Sequence, residues 1–294
     1  MPNLKHIKVR IKSIKSTQKI TQAMKLVAAS KVRRAQVRVL NSRPFTQQIM
    51  NFIGKAVSSL LAIDKNEIPL MREREIKSVG IIVVSSDRGL CGSYNTNLIK
   101  KAVRRVLELE KSGITPKLIT VGNKANNFFK RAKIEIIESF TQLPAIPSIE
   151  LANLIASSAE NAFLNGSVDK IEIMGTDFIS MLRNEVYIKQ FLPIISNTSE
   201  SQSEDRKETS EVLFEPSLDT VLGALLPLYL SNIIYHALLE ASCSELASRM
   251  NAMSNATKNA KELIEKLTIV YNKARQAAIT QELSEIVGGV EALK

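Results

Sequence analysis

Acidic residues are missing from the start of this chain: thirteen lysines and arginines stand before Asp64, the first carboxylate. The net charge of the whole chain is +11, so the residues from 64 onward carry about −2 in total. A basic segment of that length cannot neutralise itself and requires an acidic partner alongside it. Tryptophan is absent and aromatic residues make up only 5% of the chain. Leu, Ile, Val, Ala and Met must therefore do the packing, as they do in narrow helix–helix interfaces. Cys91 and Cys243 stand far apart, fit no metal-ligand spacing and read as free thiols of a reducing compartment. His6 and His236 are the only histidines, and no other ligand type clusters with either, so each reads as a core or interface residue. The longest apolar run, 221–230, includes Pro227 and falls far short of the ~20 residues of a membrane span. Lys5, Lys8, Arg10, Lys12 and Lys15 interrupt any signal-peptide core.

A repeating seam is present at both ends. Leu4, Ile7, Ile11 and Ile14 begin a series of alternating three- and four-residue steps that Ala28, Val32, Ala35 and Val39 continue. Gln18, Thr21 and Lys25 hold the same register between them, so the seam turns polar in its middle. That spacing predicts a helix stable only against another helix. Pro44 is expected to bend or break it, with Ile49, Ile53, Ala56 and Leu60 resuming the pattern. From Leu239 the same steps run through Cys243, Leu246, Met250, Met253, Thr257, Ala260, Ile264, Leu267, Tyr271, Ala274 and Ala278. A second long helix is predicted over 218–286, closed where Gly288 and Gly289 follow. From Val221 onward its seven basic and seven acidic residues balance, so it cannot absorb the charge of the first helix.

Between the two ends the texture changes. The run 79–84 is apolar throughout, ends in Ser85-Ser86-Asp87-Arg88-Gly89 and reads as a strand buried on both faces. Helices are predicted over 95–111, 123–133 and 148–164, alternating with strands over 117–121, 134–138 and 170–174, with 186–192 as an edge strand. Such alternation implies a small doubly wound α/β domain. The fold class is therefore mixed: a long antiparallel coiled coil of the terminal helices plus a Rossmann-like α/β domain. The expected divisions are a coil helix at 1–62, the α/β domain at 70–195, a polar loop at 196–212 and the second coil helix at 213–294. Residues 197–210 contain no apolar side chain and read as a solvated segment.

Candidate chemistry concentrates at Asp87-Arg88-Gly89-Leu90-Cys91-Gly92, between a strand and a helix, where backbone amides could hold an anion. The glycines are spaced G-x-x-G and no Gly-Lys-Ser/Thr follows, so neither nucleotide fingerprint fits. A tight turn whose glycines admit close backbone approach is the plainer reading. No histidine stands near Cys91 in sequence to activate it. The acidic residues Glu200, Glu204, Asp205 and Glu208 lack the regular oxygen spacing of a calcium loop. No catalytic, cofactor or metal site is assembled. Two readings of the basic helix remain, salt-dependent binding to nucleic acid and a protein sleeve with an acidic lining. Only the second uses the helical seam as well as the charge.

Three motifs carry a resemblance. The run 19–31, Lys-Ile-Thr-Gln-Ala-Met-Lys-Leu-Val-Ala-Ala-Ser-Lys, resembles the amino-terminal signature of the gamma subunit of F-type rotary ATP synthases. The run Asp87 to Gly92 is similar to that family's central motif, and Tyr271-Asn272-Lys273-Ala274-Arg275-Gln276-Ala277-Ala278-Ile279-Thr280-Gln281-Glu282-Leu283 to its carboxyl-terminal one. The three fall in family order across nearly the full chain. The resemblance implies a non-catalytic central-stalk rotor on the cytoplasmic or stromal face of an energy-transducing membrane. Its partners would be the alpha and beta subunits of the catalytic hexamer, the epsilon subunit and the c ring, with no cofactor and no nucleic acid. It also implies that Met24, Arg249, Gln276, Thr280 and Glu282 face alpha or beta loops, Met24 at a position that affects coupling. The apolar end Ile286, Val287, Val290, Ala292 and Leu293 would sit in an apolar bearing. Photosynthetic members carry an inserted segment, in plants with a redox-active cysteine pair; here 197–211 is short and free of cysteine, so no thiol switch is expected.

Overall fold

The computed structural model describes residues 4–59, 68–144, 146–194 and 218–291. The expected polar loop at 196–212, Leu60, and the terminal Ala292 and Leu293 lie outside the described residues. In order, the elements are α1 (Leu4–Ser59), a 3-10 turn (Pro69–Met71), β1 (Ser78–Val84), α2 (Tyr94–Lys111), β2 (Thr115–Val121), α3 (Asn123–Arg131), β3 (Ile136–Phe140), α4 (Ile149–Leu164), β4 (Lys170–Phe178), β5 (Asn184–Leu192) and α5 (Leu218–Glu291). They form two compact units, Met1–Ser30 with Arg249–Lys294, and Lys31–Ser248.

In the first unit, seam positions 4, 7, 11, 14, 18, 21, 25 and 28 of α1 are all buried or half-buried, and most residues between them are exposed. The facing seam of α5, at 250, 253, 257, 260, 264, 267, 271 and 274, shows the same pattern. The two polar centres meet each other: Thr21 Oγ1 and Thr257 Oγ1 are 2.8 Å apart. Each hydroxyl also reaches a carbonyl of its own helix, Gln18 O and Met253 O, and the contact between them marks one register of the pair, since a slipped pairing loses it.

In the second unit, α1 and α5 meet at Ser42–His236 and Thr46–Asn232, ascending in one helix and descending in the other, so they run antiparallel. Of the bend or break expected at Pro44, the break is corrected here: α1 continues through it. The ring removes one N–H and so one helical hydrogen bond. Neighbouring hydroxyls bond helix carbonyls on either side, Ser42 Oγ donating to Val39 O (2.9 Å) and Thr46 Oγ1 to Ser42 O (3.0 Å). Ser42, Arg43 and Thr46 are also each bonded to α5, so tertiary contacts hold the helix where its own ladder is weakest.

The sheet has the order β3-β2-β1-β4-β5, parallel except for β5, which pairs antiparallel with β4 at the edge. Right-handed crossovers dictate the layers. Stepping from β1 to β2 to β3 puts α2 and α3 on one face; stepping back from β3 to β4 puts α4 on the other. The two faces of β1 accordingly belong to different cores. Val79, Ile81 and Val83 pack with Leu98, Ala102, Val106 and Phe129, whereas Ile82 and Val84 pack with Ile155 and Phe163 of α4 and Leu222, Leu226 and Leu230 of α5. α5 contains a stretch long and apolar enough to cross a membrane by length and composition; Leu222, Leu226, Leu230 and Ile234 of that helix are buried in this core.

Several boundaries differ from the sequence reading, three of them for reasons visible in the pairing and the backbone. β3 begins at Ile136 rather than 134, because α3 ends at Arg131, Lys133 turns left-handed (φ 56°) and Ile134 N–H bonds back to Phe129 O. β4 extends to Phe178, since its last residues pair with β5 after β1 has ended. α5 runs past Gly288 and Gly289 to Glu291, with neither glycine in a left-handed cap.

Candidate functional site

The carboxyl edge of the sheet is where an open α/β fold binds its ligands, at the point where strand order reverses, here between β1 and β4. The motif Asp87–Gly92 lies at this edge, directly after β1. Its groups are engaged within the chain. Asp87 Oδ1 accepts from Asn123 N (2.8 Å), the first residue of α3, and Asp87 Oδ2 accepts from Leu143 N in the β3–α4 connection. A carboxylate of the chain itself therefore occupies the position at a helix N-terminus where an external anion would sit. Ser85 Oγ donates to Val121 O (2.9 Å) and accepts from Ala125 N (3.0 Å). Asn95 Nδ2 donates to Ser86 Oγ (2.8 Å) and to Cys91 Sγ (3.0 Å). Cys91 is buried and held in this network. Gly122 is needed at the crossing: its φ is 92°, and a Cβ there would stand 2.4 Å from Ser85 O. The motif thus ties together the turns that follow β1, β2 and β3. Arg88, Leu90 and Gly92 are its exposed residues, Leu90 with a left-handed φ of 63°.

The β4 side of the same edge is covered by α5. Ser244 Oγ donates to Thr176 O (3.4 Å), Asn184 Nδ2 donates to Ser248 Oγ (2.7 Å), and Phe178 N donates to Glu240 Oε2 (2.8 Å). Burial pushes the Tyr94 phenol at the start of α2 above its usual range, and the nearby Glu245 carboxylate of α5 adds to the shift. α5 is thus hydrogen-bonded along the β4 end of this edge.

Where the two terminal helices meet this edge, polar and charged side chains converge on the buried Glu240. Arg43 of α1 donates through Nε to Glu240 Oε1 (2.9 Å) and through Nη2 to Phe178 O (2.9 Å). His236 lies beside them, Nδ1 3.1 Å from Ser42 Oγ and Nε2 3.5 Å from Glu240 Oε1. Burial holds the imidazole below its ordinary pKa against the pull of Glu240 and Asp177, and Arg43 and Lys189 act in the same direction as burial. A histidine with a depressed folded pKa binds its proton more readily in the unfolded chain. Its contribution therefore costs stability as pH falls below the unfolded value near 6.5. His236→Gln should flatten that slope: the drop in urea midpoint from pH 7 to pH 5.5 should be larger for the unsubstituted chain than for the variant.

The residues expected at partner contacts all belong to the first unit. Met24 and Arg249 are half-buried; Gln276, Thr280 and Glu282 are exposed. Register separates the two groups. With Thr21 opposite Thr257, Leu4 lies level with Ala274, so α5 beyond that point faces no described residue of α1. Ile279, Leu283, Ile286, Val287 and Val290 are accordingly exposed. Sequence reasoning missed Ser42, Arg43, Thr46, Phe178 and Glu240. The signal available was positional, since 42 and 46 continue the three/four steps from Val39 and carry hydroxyls on what had to be an inward face.

A family profile described as ATP synthase matches residues 3–293. The ATP synthase gamma chain of Trichormus variabilis is 45% identical over 315 aligned positions covering all of both chains. That of Picosynechococcus is 44% identical with the same coverage. Both alignments have more positions than this chain has residues, so those relatives carry stretches that it lacks. Among solved structures, a chain of the Euglena gracilis mitochondrial ATP synthase (OSCP/F1/c-ring) superposes with a TM-score of 0.71 at 21% identity, over 99% of this chain and 94% of that one. A chain of the Tetrahymena thermophila central stalk/c-ring gives a TM-score of 0.60 at 24% identity, over 81% of this chain and 99% of the other.

Proposed function

The chain belongs to the ATP synthase gamma-chain family and is a non-catalytic subunit of that complex, its central-stalk rotor, and we propose how its residues serve that role. The antiparallel pair of α1 and α5 stands inside the ring of alpha and beta subunits and turns there, coupling ion flow in the membrane sector to their nucleotide sites. The α/β domain faces the epsilon subunit and the c ring. Through the complex the chain is peripheral to an energy-transducing membrane, on its cytoplasmic or stromal face. The observation that carries this reading is the combination in α1: a seam buried at every third or fourth position against α5, beneath a surface bearing cations and no carboxylate. Exposed ion pairs across a wet gap are worth only ~0–1 kcal/mol each, which suits contacts that must exchange as the shaft turns. The bonds of Asp87 and α5 to the carboxyl edge of the sheet support a subunit that leaves nucleotide chemistry to its neighbours. No comparison favours the nucleic-acid reading.

Met24, Arg249, Gln276, Thr280 and Glu282 are assigned to the contacts with the surrounding loops, and the unpaired apolar face from Ile279 to Val290 to a bearing at the top of the ring. Co-purification is the first test: the tagged chain should bring alpha and beta subunits with it. Met24→Lys tests the coupling role. In the assembled enzyme it should lower ATP-driven proton pumping at least about twofold more than it lowers hydrolysis; equal pumping per ATP hydrolysed would remove Met24 from that role.

A further inference from the structure

The last residue of β4 is gripped in an unusual way. β1 pairs with β4 only as far as Met174, so at Phe178 the β1 side of the strand has no strand partner. Side chains of the two terminal helices take the place of that strand. Phe178 N donates to Glu240 Oε2 at 2.8 Å, Phe178 O accepts from Arg43 Nη2 at 2.9 Å, and Arg43 Nε donates to Glu240 Oε1 at 2.9 Å. One Arg–carboxylate pair therefore bonds α1, α5 and the sheet to one another. The Glu240 side chain is 3% exposed, and the Phe178 ring packs beside the pair among Val32, Val39, Leu239 and Cys243.

Stability alone does not account for this arrangement: the Arg43 side chain is 45% exposed, so solvent screens its charge attraction to Glu240. Apolar contact is non-directional and resists sliding weakly; hydrogen bonds with fixed angles to a peptide group resist it strongly. We infer that Arg43 and Glu240 form a torsional pin that fixes the helix pair to the end of β4, so that torque on the sheet passes into the helices without slip. They are positioning residues, and the inference rests on the rotor reading above.

The test uses the double variant Arg43→Met/Glu240→Leu in the assembled enzyme in sealed vesicles. It keeps apolar bulk and removes both bonds to Phe178. Hydrolysis without an opposing gradient should stay within about twofold of the unsubstituted enzyme. The proton gradient at which ATP-driven pumping stalls should fall. The angular variance of a bead attached to the α/β domain of a stalled single molecule should rise about twofold. A merely structural role would lower assembly and hydrolysis together and leave the variance of assembled molecules unchanged. Unchanged variance and stall gradient in an assembled variant overturn the pin. If the double variant does not assemble, Arg43→Lys, which keeps the charge but lacks the planar fork that holds Glu240 and Phe178 O at fixed angles, is read by the same two measurements with the same consequences. If the unsubstituted chain does not co-assemble or rotate, it is the rotor reading that fails.

Discussion

Asp87→Ala should destabilise the chain by about 2–4 kcal/mol, seen as a lower urea midpoint with an unchanged slope. The reason is the number of elements that depend on one carboxylate. Its two oxygens accept N–H groups from the first turn of α3 and from the connection between β3 and α4, and both donors would be left unpaired. A carboxylate at a helix N-terminus adds a favourable dipole interaction of about 0.3–1 kcal/mol that alanine also removes. Asp87→Asn separates the two contributions, since its amide oxygen can accept one of the two bonds without the charge, and it should fall between. A midpoint for Asp87→Ala within error of the unsubstituted chain would show that the motif is not the tie between these turns.

That role was only half legible in the sequence. Residues 87–92 stood out as a strand-to-helix turn, with a glycine spacing unlike a nucleotide fingerprint. The bonds of Asp87 to residues 36 and 56 positions away depend on tertiary placement, which no local pattern encodes. The coil was legible almost residue by residue, because three/four spacing is a local property and burial follows it from Leu4 to Val39. The break expected at Pro44 does not occur for the same reason in reverse: the local penalty is real, and the bonds from Ser42, Arg43 and Thr46 to α5 that offset it lie 186 to 197 residues away in sequence. The sheet face of α5 shows a third case. Its ten-residue apolar run looked unremarkable beside the charged helix at the other end, yet its leucines close one side of the α/β core.

The largest stabilising effect should come from a cross-link inside the helix pair. Thr21→Cys/Thr257→Cys places two thiols where hydroxyls already stand 2.8 Å apart, and oxidation should close a loop spanning most of the chain. Chain-entropy reasoning gives about 5 kcal/mol of stabilisation for a loop of that length, less any native-state strain. The native thiols should not compete: Cys91 and Cys243 are both buried, and burial pushes the Cys243 thiol up to about 12, where almost no thiolate is present to react. The functional consequence separates two pictures of the shaft. If α1 and α5 turn as one body, the oxidised variant retains both hydrolysis and ATP-driven pumping in the assembled enzyme. If the helices must slide past one another during turnover, oxidation stops activity and reduction restores it. The paired hydroxyls at the polar centre of the seam favour the first outcome, because sliding by even one residue would break their 2.8 Å contact and move the half-buried and buried seam positions of both helices out of register.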